Sequence, residues 1–261
     1  MSLQHAIDFR ARFRRREVMV GTFVKTPSPH VVELLGDVGL DFIVIDAEHA
    51  AFDRGAVDLA LLAAKAAGIT ALVRTADSRA AALLAALDDG AAGVIVPHID
   101  SAEQAAGIAS SCRYGGTRGY SNAPRAGSFG AASMWRHVDD ADAAATVIAM
   151  IESQQSADDI AGILAVDGLD GILIGRADMA VSLRDRTPDA RLAGAVAERV
   201  IAAAVAAEKP VCIFAADLAE TEAFLRQGVT TFIVSSDQAM MRSAARDRVA
   251  QFRRLAGVER A

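Results

Sequence analysis

Apolar, β-branched runs alternate with Ala-rich helical stretches along nearly the whole chain, which is what a parallel sheet covered by helices requires. The runs that read as strands are VGTFVKT (20–26), FIVID (42–46), TALVRT (70–75), GVIVPHI (93–99), TVIAMIE (146–152), GILIG (171–175), PVCIFAA (210–216) and TFIVSSD (231–237). Between them PHVVELLGDVG, SRAAALLAALDDG, SAEQAAGIASSC, SADDIAGILAVDG, DLAETEAFLRQG and QAMMRSAARDRVAQFRRLAG read as helices. Several of these stop at a Gly suited to the left-handed position after a helix. Eight βα units predict an α/β fold of the TIM (β/α)8 type, a single domain over residues 1–261 that begins with a leading helix. A doubly wound open sheet is the competing architecture, but VGTFVKTPSPH stands where a Gly-rich dinucleotide turn belongs.

Composition narrows the function. A chain of 261 residues matches the roughly 250 of one such barrel. A net charge of -6 argues against nucleic-acid or anionic-membrane partners, which select clustered cations, and favours a small-molecule role. The basic run FRARFRRRE (9–17) has no apolar signal-peptide core after it and reads as a solvated leading helix. Lys, Gly or Arg interrupts each apolar stretch before the roughly 20 residues a membrane span needs, so a cytoplasmic protein is expected. Cys112 and Cys212 lie far apart without metal-ligand spacing and read as buried free thiols.

In a barrel of this kind the chemistry sits at the C-terminal ends of the strands. There the chain places Asp46, Glu48 and His49 after the second run, Arg74 on the third, Glu152 on the fifth and Asp178 beyond the sixth. Singly, each has a structural reading: Arg74 pairs with a nearby acid, Glu152 belongs to the capping of the next helix. Together, ionisable groups at four strand ends favour a site. Glu152 and Asp178, without thiolate, suit a hard divalent ion such as Mg²⁺ or Mn²⁺. Arg74 suits a planar carboxylate and His49 a proton near neutral pH. Carboxylate clamp, Lewis acid and base describe chemistry on a 2-oxo acid, as in a pyruvate-type aldolase.

The segments DAEH (46–49), LVR (72–74), LDDGAAGVIVPHIDSAEQA (87–105), RYGGTRG (113–119), IES (151–153) and GLDGILIGRADMAVSL (168–183) together resemble the HpcH/HpaI aldolases over nearly the whole chain. The resemblance implies a metal-dependent class II aldolase that reversibly cleaves a 4-hydroxy-2-oxo acid into pyruvate and an aldehyde. It implies that His49 accepts the proton, that Asp88 raises its basicity, and that Arg74 stabilises the enolate and carboxylate. Glu152 and Asp178 would bind the metal (Mg²⁺, Mn²⁺ or Co²⁺), with Met150, Ala177 and Asp178 beside Arg74 lining the substrate pocket. It further implies a homo-hexamer, a trimer of dimers, whose final helix packs on a neighbouring subunit and whose active sites are completed across a subunit contact.

Three positions depart from the family pattern. Ala47 replaces the Gly of Asp-Gly-Glu-His, Met150 stands where a glutamine is common, and Arg176 replaces the Pro of Gly-Pro-Ala-Asp. Arg176 either meets a second acidic group on the substrate or faces outward to an acid such as Asp185. The segment from Gly115 to Ala145, with Arg118 and Arg125 among glycines, reads as a lid over an anionic substrate or as an interface loop. His98 is assigned a structural part only. Two other functions stay open: an acyl-CoA lyase of the citrate lyase β type, and a noncatalytic relative that binds an oxo acid.

Overall fold

The computed structural model describes residues 3–258. Its strands are β1 (Met19–Val24), β2 (Phe42–Asp46), β3 (Thr70–Arg74), β4 (Gly93–Val96), β5 (Thr146–Ile151), β6 (Gly171–Ile174), β7 (Val211–Ala215) and β8 (Thr231–Ser236). Each pairs in parallel with the next and β8 closes on β1, so the sheet is the expected eight-stranded barrel. Most strands are a little shorter than the apolar runs, β2 alone matching its run. β4 stops at Val96 because Pro97 has no N–H to donate and His98 turns into the left-handed region at φ 58°.

The helices among the described residues are α1 (Leu3–Arg14), α2 (Pro29–Gly36), α3 (Arg54–Ala67), α4 (Ala80–Asp88), α5 (Ala102–Ser111), α6 (Met134–Ala144), α7 (Gln154–Asp158), α8 (Ile160–Leu164), α9 (Arg176–Ser182), α10 (Arg191–Ala206), α11 (Leu218–Arg226) and α12 (Asp237–Leu255). The stretch SADDIAGILAVDG forms two short helices, α7 and α8, because Asp159 leaves helical geometry between them (φ -94°, ψ 15°). The leading helix is not simply solvated, as its charge suggests. Ala6, Phe9 and Phe13 are buried, Phe9 meets the Phe42 ring at 5.5 Å, and Arg10 pairs with the buried Asp170 at 2.9 Å, so α1 plugs the N-terminal end of the barrel.

Alternate strand residues face opposite sides of the sheet, and this parity sorts the core. Met19 and Phe23 of β1, Phe42 and Val44 of β2, Leu72 of β3, Ile95 of β4, Ile148 and Met150 of β5, Leu173 of β6, Cys212 of β7 and Ile233 of β8 fill the barrel interior. Their neighbours in sequence, such as Ile43, Ile45, Val73, Val94 and Ile172, pack outward against the helices. Continuing the inner parity past the apolar layers brings Lys25, Asp46, Arg74 and Glu152 to the C-terminal mouth.

The segment between α5 and β5 is not a lid over this chain's own mouth. Helix α5 returns the chain to the N-terminal end, and there α6 packs against α1. Arg118 pairs with Asp88 at 2.8 Å, and Arg125 pairs with Asp58 at 2.5 Å and donates to the Asp89 carbonyl.

Strand spacing leaves no room for a side chain at Gly93, where an added Cβ would lie 2.2 Å from the Thr146 carbonyl oxygen on β5. Gly93→Ala is therefore expected to cost about 3 kcal/mol or more by spreading β4 from β5, measured as a lowered urea midpoint. An unchanged midpoint would contradict the packing described.

Candidate active site

The β2/β3 register sets Asp46 opposite Arg74 as direct partners. Both point inward, so their side chains meet above the apolar layers: Arg74 Nε donates to Asp46 Oδ1 at 2.9 Å and Nη2 to Oδ2 at 2.7 Å. Such a two-toothed pair in a buried setting is geometrically demanding and strong. Asp46 Oδ1 also accepts the backbone N–H groups of Glu48 (3.3 Å) and His49 (3.1 Å), and Lys25 Nζ lies 3.3 Å from Oδ2. Burial alone would raise the Asp46 carboxyl, but the Arg74 fork, the His49 N–H and Lys25 together hold it below its ordinary value. The structural reading of Arg74, a salt bridge to a nearby acid, thus holds for one edge of the guanidinium. The other edge is differently placed, with Nη1 at 3.2 Å from Glu48 Oε2.

Glu48 joins the parts of the mouth. Its side chain is 8% exposed, with Oε2 near Arg74 and 3.7 Å from His49 Nε2, and Oε1 3.5 Å from His98 Nε2. No well-aligned donor reaches Oε2 among the described residues. His49 itself stands half in solvent, its side chain 55% exposed.

Glu152 follows the end of β5 and is buried. Ser153, not Glu152, caps α7, accepting the Ser156 N–H, so the capping reading of Glu152 fails. Burial pushes the Glu152 carboxyl above its ordinary value, the nearby Asp178 and Glu48 carboxylates add to that, and an N–H from His98 opposes it. Gly175 permits the close approach: a Cβ there would lie 2.9 Å from Glu152 Oε2 and 3.4 Å from Met150 Cε. Met150 is almost wholly buried and floors the mouth, while Ala177 and Asp178 are exposed in the first turn of α9. Arg176 faces outward, pairing with Glu220 at 2.5 Å and donating to the Phe214 carbonyl at 3.0 Å, so it answers an acid of α11 rather than Asp185.

Asp88 stands apart. It ends α4, whose antiparallel course places it at the N-terminal end of the barrel, where it pairs with Arg118. Within one chain it does not join His49. The sequence reading set Glu48 at the strand end without a part of its own, which the structure shows to be a connecting one, and it left His98 out of the mouth. The inward parity of the β2 end pointed towards the first; nothing in VPHID announced the left-handed turn that brings in the second.

A buried carboxyl beside two more carboxylates, without Lys or Arg paired to it, is a donor set that a hard divalent cation complements. The described residues contain no cluster of three or more His, Cys, Asp or Glu side chains arranged around one ion position. A two-carboxylate site fits the cation only if other positions go to water or substrate oxygens, as Mg²⁺ and Mn²⁺ prefer.

The profile of the family described as HpcH/HpaI aldolase/citrate lyase matches residues 19–244, which includes every strand and each mouth residue named above. The chain belongs to this family. It is 31% identical over 242 residues to the 5-keto-4-deoxy-D-glucarate aldolase of Salmonella paratyphi A, covering 90% of this chain and 93% of that one. A family protein from Burkholderia cenocepacia J2315 superposes with a TM-score of 0.87 at 31% identity, covering 94% and 99%. The HpcH/HpaI aldolase of Desulfitobacterium hafniense DCB-2 gives 0.88 at 25%, covering 96% and 98%. The HpcH/HpaI protein described here is a carbon–carbon lyase.

The buried ion pair gives a direct test. Asp46→Ala strands the Arg74 charge and is expected to cost about 3–5 kcal/mol in urea unfolding. A loss below about 1 kcal/mol, the scale of exposed pairs, would mean that the pair is not buried as described.

Proposed function

We propose that this lyase is a divalent-metal-dependent class II aldolase that reversibly cleaves a 4-hydroxy-2-oxo acid into pyruvate and an aldehyde. The observation that carries the reading is the gathering of Arg74, His49 and the Glu152/Asp178 pair at one barrel mouth. Glu152 and Asp178 would hold Mg²⁺, Mn²⁺ or Co²⁺, which when bound draws electron density from the substrate's keto group. Arg74, fixed by Asp46, offers its Nη1 edge to the oxo acid's oxygens and to the negative charge that grows during cleavage. His49 takes the proton of the C4 hydroxyl. The C4–O bond becomes a carbonyl as the C3–C4 bond breaks, its electron pair passes into the pyruvate enolate, and a proton then returns to C3. Met150 gives the pocket an apolar floor where an amide is common in the family, and Ala177 with Asp178 forms its wall.

Asp88 supports His49 in this reading only from a second copy, because its own His49 lies at the other end of the barrel. Helix α12 supports assembly as well. Of its nineteen residues only Asp237 is buried, while Met241, Phe252 and Leu255 stand exposed along it. A helix with so little packing on its own barrel wants a partner, and the hexamer, a trimer of dimers, supplies one. No helix of the described residues is long and apolar enough to cross a membrane, and both cysteines are buried free thiols, which suits a cytoplasmic enzyme.

Pyruvate release from 4-hydroxy-2-oxo acids, coupled to NADH oxidation by lactate dehydrogenase, tests the activity. Glu152→Ala is expected to lose at least about 100-fold in metal-dependent kcat/KM with its circular dichroism unchanged, since it removes several kcal/mol of charge stabilisation. Wild-type rates in that variant would sink the assignment. Replacing Phe252 and Leu255 together by Glu should shift the mass in light scattering towards smaller species; a wild-type protein that is already monomeric would contradict the assembly.

A further inference from the structure

The left-handed turn at His98 has an evident product. At φ 58°, a conformation that side-chain-bearing residues seldom adopt, its backbone N–H points at Glu152 Oε1 and bonds to it at 2.7 Å. The ring comes to the same place, with Nδ1 3.0 Å from Glu152 Oε1 and Nε2 3.5 Å from Glu48 Oε1. His98 thus touches two carboxylates that arrive from β2 and β5, while its own side chain remains 69% exposed. A ring so exposed contributes little to packing, so apolar burial does not account for the strained backbone that presents it.

Both His98 contacts converge on one oxygen of Glu152. Among the described residues no donor is given to Oε2, which lies against Gly175 at the N-terminus of α9, the helix that carries Asp178. Fixing Oε1 leaves Oε2 as the oxygen beside Gly175, the residue that leads into the helix carrying Asp178. We infer that His98 is a positioning residue for the divalent-ion site: its N–H and imidazole lock the Glu152 carboxylate so that Oε2 faces the ion, and its other ring nitrogen ties this arrangement to Glu48 beside Arg74 and His49. The inference rests on Glu152 being a metal ligand, and it gives a residue that the sequence left structural a part in the chemistry.

Mn²⁺ alone is the probe, titrated into chelator-treated full-length protein and followed by the electron paramagnetic resonance of the free ion. Groups that hold a metal ligand from behind typically affect metal affinity 10–100-fold, so His98→Ala is expected to raise the Mn²⁺ Kd by at least about 10-fold. His98→Gly keeps the N–H and relieves the left-handed strain, and it should still bind about 10-fold more weakly because the imidazole is gone. It also decides the matter if His98→Ala fails to fold. His98→Asn, which tolerates the turn and restores a side-chain donor, should regain part of the loss. A wild-type Kd in either His98→Ala or His98→Gly overturns the inference. A wild-type enzyme that binds Mn²⁺ but releases no pyruvate from any 4-hydroxy-2-oxo acid counts against the aldolase reading alone, so the two failures are distinguishable.

Discussion

The mouth of this barrel is organised by one buried carboxylate. Asp46 faces Arg74 because β2 and β3 pair in that register, and a slip of either strand by one residue would turn its own charge outward into the apolar helix layer and part the two. In register, the two charges satisfy one another, and Asp46 has capacity left for the N–H groups of Glu48 and His49. One side chain therefore fixes the guanidinium plane and shapes the turn that presents His49. Because its folded value is depressed, its stabilising contribution is complete above the unfolded carboxyl's value of 3.8 and is lost as pH falls through the lower folded value.

Around that fixed pair the electrostatics run the other way. Glu48, Glu152 and Asp178 bring three acids into one neighbourhood, with burial and mutual repulsion acting on Glu152. Lys25 and Arg74 are committed first to Asp46, so they do not neutralise the Glu152/Asp178 side. An excess of negative charge of this kind is what a cation complements, and under the proposed function the Arg74 edge turned to Glu48, Nη1, is the one that meets the oxo acid. The cost of the arrangement is carried by the apolar layers beneath it and by the plug of Phe9 and Phe13 at the far end.

Much of this was legible in the chain because strand periodicity is local. The eight apolar runs, their inner parity, and the ionisable residues just beyond them place Asp46, Arg74 and Glu152 at the mouth without any knowledge of contacts. What was not legible depends on chain direction and on rare backbone states. Asp88 is close in sequence to β4 but sits at the foot of a returning helix, and the Gly115–Ala145 segment follows α5 to that same end, so neither reaches its own chain's mouth. The basic N-terminal run hides Phe9 and Phe13 among its arginines, and charge outweighed the apolar spacing that makes it a plug. His98 depends on a left-handed turn after Pro97, a state that histidine adopts more readily than most residues but still too seldom to be read from the sequence.

The central claim, that this mouth makes and protonates a pyruvate enolate, can be tested without knowing the aldehyde. The protein is incubated with pyruvate in heavy water, with Mg²⁺, Mn²⁺ or Co²⁺ or with chelator, and the methyl proton signal is followed by nuclear magnetic resonance. The account predicts loss of that signal with metal and none with chelator. Folded, metal-loaded protein that leaves the methyl protons in place would contradict it.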